Sequence, residues 1–401
     1  MKPYLNFSLI IKLVVLLVAT SEMATDIYAP SLPEISRYFN VSDAQLTISL
    51  NLFGFAFSSL FYGALSDHYG RRPLILTGIS IFVIASIICW QANTFSVLLW
   101  ARLLQGLGAG SALALGLAVI RDLFSGEQCA KIISKIGMVI ALSPGLAPIF
   151  GGYIGSFYGW RSVFLIIVIF SIVLWLLLYF KLPETLIEKP QGDFSFTTVF
   201  QGYKRLACNH VFVAFMMIQF MTIAGLWAEL ANLPFLYIND MGIKAYHYGY
   251  FAAAAVGSYV LGTIANQKWV SIFGMKRMLG FGISLVFFSR IMLLVINYFV
   301  ELSPVYIQLV ETPGAFGLGL IFGNATTYAL ESAGKDSGAA AAFLGTAEML
   351  GGGIGVYLVA VFYNATIVPI AIMTAITAFI NLLIFFYGMR SKKLECISIP
   401  M

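Results

Sequence analysis

Long apolar runs separated by short polar turns dominate this chain. Twelve runs reach the roughly 20 residues that a helix needs to cross a hydrocarbon layer. They lie at about 9–30, 43–65, 73–91, 95–119, 131–155, 161–181, 211–237, 246–267, 277–298, 303–329, 338–362 and 367–388. Lipid offers no partners for backbone N–H and C=O groups, so each run is expected to be a helix. Pro144, Pro148, Pro234 and Pro313 fall inside runs. They are tolerated where neighbouring helices cover the freed backbone groups. The longest polar stretch, about 182–210, holds Pro183, Glu184, Glu188, Lys189, Pro190, Gln191, Gly192 and Asp193. It divides the runs six and six. The pattern predicts a six-helix bundle over 1–181, a linker over 182–210, and a second bundle with a short tail over 211–401.

Composition agrees with a lipid solvent. Of the 401 residues, 60% are hydrophobic and 10% charged, against about 25% charged in soluble domains. The formal charge of +5 is read as basic loops rather than as a nucleic-acid surface. With both termini in the cytoplasm, eighteen of the 23 Lys and Arg residues fall on that side. Three, Arg37, Arg161 and Lys244, fall outside, and Arg102 and Arg290 lie within spans. That asymmetry predicts an N-in, C-in topology. The first run continues to Ile27-Tyr28-Ala29-Pro30 without a small-residue cleavage pattern, so it is expected to stay as a span. Cys89, Cys129, Cys208 and Cys396 have no metal or redox spacing, and His68, His210 and His247 are dispersed. No Gly-x-x-x-x-Gly-Lys-Ser/Thr loop occurs, which argues against ATP-driven pumping.

A repeat supports the division. Gly63, Asp67, Gly70, Arg71 and Arg72 follow the second run. Gly262, Asn266, Gly274, Lys276 and Arg277 occupy the equivalent place after the eighth. Duplicated halves in a transporter place the substrate site at their interface near mid-membrane.

Five strings occur in order along the chain: Asp26-Ile27-Tyr28-Ala29-Pro30-Ser31-Leu32-Pro33; the 63–73 loop with Asp67, Gly70, Arg71 and Arg72; Arg102-Leu103-Leu104-Gln105-Gly106-Leu107-Gly108-Ala109-Gly110; Ser143-Pro144-Gly145-Leu146-Ala147-Pro148-Ile149-Phe150-Gly151-Gly152; and Gly334-Lys335-Asp336-Ser337-Gly338-Ala339-Ala340 with Leu344-Gly345. Together they resemble the major facilitator superfamily, and within it the bicyclomycin/chloramphenicol-resistance branch of the twelve-span drug:proton antiporters. The resemblance implies an all-α fold of two pseudo-symmetric six-helix bundles in a bacterial inner membrane. It also implies the proton as coupling ion, no other cofactor, no metal, and a monomer with a small-molecule substrate and the lipid bilayer as its partners.

The residues carry their own physical reading. Glycines permit the tight 63–73 turn, Asp67 can cap a helix start, and Arg71 can pair with Asp122 in a conformational latch with Gly70 and Arg72. The alternative for the loop is a purely topogenic one. Arg102 inside a span calls for a cavity or a partner, since a charge at the bilayer centre costs at least about 3 kcal/mol. Glu22 and Asp26 lie four apart on one helix face. Burial and mutual repulsion favour their protonated forms, and a nearby Arg102 opposes this. They are the expected proton-coupling pair, tuned by Arg102, although Asp26 before Pro30 could serve only to end a helix. The branch lacks a partner like Glu22.

Glu229, Glu311 and Glu348 lie in the second half with Arg290 as the only intramembrane base, which is expected to leave at least two acids without a basic partner. Glu229, Glu311, Glu348, Tyr28, Trp227 and Gln105 are the expected cavity-lining residues, with Phe235, Tyr237 and Tyr328 as weaker aromatic candidates. So acidic a cavity favours cationic or amine-bearing cargo. Pro144, Gly145, Pro148, Gly151 and Gly152 are expected to bend the fifth span and allow tight packing.

The resulting expectation is a proton-coupled antiporter that exports drugs or other amphipathic or cationic compounds by alternating access. A dedicated metabolite or siderophore exporter on the same fold is the alternative. A membrane sensor or embedded enzyme is disfavoured, because no loop is long enough for a sensor domain and no nucleophile, metal or cofactor constellation is present.

Overall fold

A computed structural model describes residues 6–186, 196–300 and 303–388. The middle of the expected linker, from Ile187 through Glu188, Lys189 and Asp193 to Ser195, lies outside the described residues. So does the expected C-terminal tail with Arg390, Lys392, Lys393 and Cys396.

Fourteen α-helices make up the described chain: α1 (Phe7–Asp26), α2 (Leu32–Phe39), α3 (Leu46–Tyr69), α4 (Arg71–Gln91), α5 (Phe95–Leu123), α6 (Gly126–Tyr158), α7 (Trp160–Lys181), α8 (Phe196–Ala207), α9 (His210–Pro234), α10 (Ala245–Phe273), α11 (Met275–Phe299), α12 (Pro304–Ala333), α13 (Ser337–Phe362) and α14 (Val368–Gly388). Side chains close several of the starts. Asn6 Oδ1 accepts from Leu9 N at 3.1 Å, and Asn209 Oδ1 from Val211 N at 3.1 Å. Ser303 caps α12, with Pro304 in the first turn where no backbone donor is needed.

Among the described residues twelve segments are long and apolar enough to span a membrane. Two departures from the sequence pattern stand out. The first span does not stop at Pro30. It passes through a tight turn at Ala29–Ser31 and continues as α2, so the segment reaches Phe39. Pro30 sits at the start of the 3₁₀ turn and Pro33 in the first turn of α2, positions where a missing N–H costs nothing. The expected linker also contains α8, whose Leu206 is buried with Phe212 and Phe215 of α9 and Leu344 of α13.

Spans are apolar on both faces. In α7, Phe164 and Leu178 are buried while Phe170 and Phe180 point outward. A helix hydrophobic all round, with large apolar groups left on its outer face, fits a lipid surround.

Two compact units are present: Met1–Ser195 with Tyr237–Ala253, and Phe196–Leu236 with Ala254–Met401. Within the first, α5 packs on α3 and α4, and α1 packs on α5 and α6. Within the second, α12 packs on α11 and α9 packs on α13 and α14. The repeat is visible in the packing. A methyl added at Gly108 of α5 would lie 2.6 Å from Phe82 N of α4, and one at Gly106 would strike Asn51 O of α3. In the second unit a methyl at Gly317 of α12 would lie 2.7 Å from Gly282 O of α11, and one at Gly319 2.6 Å from Thr263 N of α10. In each unit one glycine-bearing helix is wedged between two others at backbone contact.

Candidate functional site

Asp26 is the last residue of α1 and is buried. Ser143 Oγ of α6 donates to its Oδ2 at 2.9 Å. Ser143 immediately precedes Pro144, and the glycines further along α6 bring that helix against the end of α1. A methyl at Gly151 would collide with Ile27 O, and one at Gly155 would lie 2.5 Å from Ser31 Oγ. A methyl at Gly152 would lie 2.6 Å from Ala245 O. The Pro144–Gly152 region, with Gly145 and Pro148 buried, thus packs tightly on two neighbours. Glu22 stands one turn before Asp26 and is partly buried.

Arg102 is fully buried in α5. Its guanidinium lies 4.2 Å from the Tyr28 ring centroid and 6.0 Å from that of Phe164. Nε donates to Thr47 O at 3.4 Å and Nη1 donates to Gln105 Oε1. Gln105 Nε2 in turn donates to Ser86 Oγ at 2.8 Å, and Tyr28 shares a 3.1 Å hydrogen bond with Thr47. Among the described residues no carboxylate lies within 4.0 Å of Arg102. The expected tuning of Asp26 by Arg102 is therefore replaced by an aromatic and amide environment. An aromatic face and a side-chain carbonyl accommodate a buried cation without a counter-ion. Tyr28 and Gln105, expected in a cavity wall, are instead sealed around this guanidinium. Beside Asp26 in the chain, Thr25 Oγ1 donates to Asn51 Oδ1 at 3.1 Å, and Asn51 Nδ2 donates to the backbone Arg102 O at 3.1 Å.

The 63–73 loop is a network. Arg71 Nε meets Asp122 Oδ2 at 3.0 Å, and its Nη1 meets Asp67 Oδ1 at 2.5 Å. Asp67 does not cap a helix start. It sits in the last turn of α3 with its side chain 58% exposed. The capping anion is Glu184. It accepts from Arg71 N at 3.0 Å, Arg72 N at 3.2 Å, Thr185 N at 2.9 Å and Leu186 N at 3.0 Å. Gly70, at φ +108°, provides the approach, since a methyl there would lie 2.5 Å from Glu184 Oε2. Arg72 Nη2 donates to Tyr179 O at 2.7 Å, and Thr185 Oγ1 to Asp122 Oδ2 at 3.1 Å. All these partners belong to the first unit.

In the second unit one base serves two acids. Arg290 Nη1 lies 2.7 Å from Glu229 Oε1 and 3.5 Å from Glu311 Oε1, and Nη2 donates to Glu229 Oε2 at 2.9 Å. All three are buried. The two acids expected to lack a basic partner share one instead: α9, α11 and α12 converge so that the planar guanidinium reaches both carboxylates, and one negative charge stays in excess. Glu348 of α13 is partly buried, near Tyr259 of α10. Trp227 is partly buried on α9, and Tyr328 stacks on Phe215 at 4.6 Å. Phe235 and Tyr237 are buried.

Sequence reasoning overlooked Ser143 as a partner of Asp26, and Glu184 and Thr185 as parts of the loop network. Ser143 was readable only as the start of a proline-glycine string. Glu184 carried a signal, an acid directly after a span whose predecessor loop begins a helix at a bare glycine.

Residues 14–356 match the Major Facilitator Superfamily, and the chain belongs to that family. It is a multi-pass bacterial inner-membrane transporter, not an enzyme, and carries a small-molecule substrate. It is 28% identical over 377 residues to the bicyclomycin resistance protein homolog of Haemophilus influenzae, covering 92% of this chain and 93% of that one. It is 29% identical over 361 residues to multidrug resistance protein D of Escherichia coli, covering 88% and 89%. The fold matches the E. coli xylose transporter XylE in a partially occluded inward-open conformation (TM-score 0.75, 14% identity, 96% and 97% covered). It also matches a bacterial homolog of the human lysosomal transporter Spinster in an inward-facing, occupied conformation (TM-score 0.74, 16% identity, 100% of each covered).

Proposed function

We propose that this transporter is a proton-coupled antiporter that exports small amphipathic or cationic molecules, with Asp26, next to Glu22, as the carboxylate whose protonation drives exchange. The observation that carries the reading is the placement of Asp26. It is buried at the end of α1, hydrogen-bonded to the Ser143 hydroxyl, and among the described residues no cationic side chain lies within 4.0 Å. A hydroxyl donates to a carboxylate and accepts from a carboxylic acid, so Ser143 can accompany Asp26 in both protonation states. A proton and a cargo cation then compete for one buried negative charge. The two ligands bias the carrier toward different conformations only to the extent that they bind those conformations differently.

Relatives named for bicyclomycin and multidrug resistance support drug-like cargo. The distribution of Lys and Arg supports both termini in the cytoplasm, with the Gly70 loop on that side. In this reading the Arg71–Asp122 pair reports conformation at that end, and the protein works as a monomer with the proton as its coupling ion.

Proton release from purified protein tests the scheme as cationic, zwitterionic and neutral compounds are added. Release by wild type that disappears in Asp26→Asn and is altered in Glu22→Gln is expected. Binding without proton release, unaffected by either substitution, overturns the antiport assignment.

A further inference from the structure

The second unit contains a buried charge constellation that the exchange scheme does not use. Glu229 takes the closer share of Arg290: Nη2 donates to its Oε2 at 2.9 Å, and Nη1 lies 2.7 Å from its Oε1 in an ion-pair contact that leaves both of those atoms without a hydrogen bond. Glu311 is then a second carboxylate on a cation already committed. Among the described residues its only ion-pair contact is the 3.5 Å approach of Arg290 Nη1, and its Oε1 is buried without a hydrogen-bond partner. Fully ionised, the three groups carry one net negative charge, with side chains between 4% and 9% exposed. A buried charge without compensation is the costly arrangement, and adding one proton removes it.

Among the described residues the surroundings supply no other counter-charge. The charged groups that face Glu311 are Glu229 on α9 and Arg290 on α11. On α13, Glu348 lies near Tyr259 of α10, and α10 itself presents Ser258 to Thr312 O, one residue beyond Glu311. From α14 the groups near Arg290 are the uncharged Thr374, Thr377 and Asn381. They line a cavity of about 20 Å³ together with Thr222 and Arg290. That volume admits a water molecule. Arg290 Nε and Asn381 Oδ1 are both buried without a partner, so the wall of the cavity carries a donor and an acceptor suited to water.

We infer that Glu229, Arg290 and Glu311 form a second proton-binding site, distinct from Asp26, in which one proton is held by the two carboxylates, on Glu311 in the geometry seen. The Arg290–Glu229 pair keeps its charges. The proton neutralises Glu311 and leaves when a conformation opens the site to water or when a cargo cation takes its place.

Infrared difference spectra of the purified full-length protein, titrated with base, read protonated carboxylic acids through their carbonyl stretch. Beside any band that Asp26→Asn removes, wild type is expected to show a band that outlasts those of exposed carboxyl groups. Glu311→Gln should abolish it. Glu229→Gln should also abolish it, because Glu311 then becomes the sole counter-ion of Arg290 and ionises. Asp26→Asn should leave this band in place, which separates failure of this site from failure of the Asp26 scheme. An unchanged band in Glu311→Gln overturns the inference, as does a band that survives Glu229→Gln. Since Glu311→Gln removes only an uncompensated charge, its melting temperature should match or exceed that of wild type at alkaline pH. A variant too unstable to purify would likewise refute a site that is neutral when occupied.

Discussion

Replacing Glu184 with alanine removes the anion that closes the start of α4. Gly70, the residue before that helix, has no side chain to cap it. The N–H groups of Arg71 and Arg72 are satisfied by Glu184 at 3.0 and 3.2 Å. Loss of an N-terminal cap costs about 0.5–2 kcal/mol. An anion at the positive end of a helix contributes about 0.3–1 kcal/mol. Glu184 is exposed, and the two effects overlap, so the lower part of their sum applies, about 1.5 kcal/mol. For a unit of this size each kcal/mol moves the melting temperature by about 2–4 °C, giving a shift of about 3–6 °C. Thermal unfolding of purified protein, followed by tryptophan fluorescence, measures it. Glu184→Gln keeps one acceptor oxygen and should fall between alanine and wild type. Asp67→Asn alters a carboxylate that is mostly exposed and should move the melting point by no more than about 1 °C. If Glu184→Ala melts with wild type, or Asp67→Asn is equally damaging, the capping argument fails.

Three further outcomes follow from the same structure. Gly70→Ala should cost more than Gly274→Ala in thermal melts: both have positive φ, +108° and +78°, but only at Gly70 does the added methyl meet another group, Glu184; the shared backbone strain is about 1–3 kcal/mol. Arg290→Met leaves Glu229 and Glu311 buried without a cation and should cost about 3–5 kcal/mol; the triple variant Arg290→Met, Glu229→Gln, Glu311→Gln should recover much of the lost yield and melting temperature. Hydrogen bonds from Arg205 at 3.1 and 2.9 Å hold the Asp336 carboxyl below its ordinary value. Because the folded value is the lower one, the stabilisation is present above the ordinary carboxylate range and lost as pH falls through the lowered value. The protection of α8 amides against exchange, taken relative to the unfolded chain at the same pH, should therefore fall on acidification, and in Asp336→Asn it should already be low at neutral pH.

Much of this molecule was legible in its residues. Runs of apolar side chains long enough to cross a bilayer leave the backbone no alternative to helix, so the spans and their number follow from hydropathy alone. The pairing of Arg71 with Asp122 was also readable, because a short charged turn between two spans offers few partners. Local chemistry misled at Pro30, where the proline opens a 3₁₀ turn that carries the chain straight into α2, and in the linker, where a polar composition concealed α8 and its buried Leu206.

Which polar groups meet inside the units was decided by tertiary packing. Arg102 was recognisable as a buried charge, but whether it would face Asp26 or Tyr28 depended on the rotation of α1 against α5, which no spacing along one helix encodes. The sharing of Arg290 by Glu229 and Glu311 required three helices far apart in the chain to converge on one guanidinium. Ser143 reaches Asp26 only because the glycines of α6 admit the backbone of α1 at contact distance. Sequence determines which segments leave water and which charges go with them. The close approach of helices determines which of those charges are paired, and hence where a proton can be held.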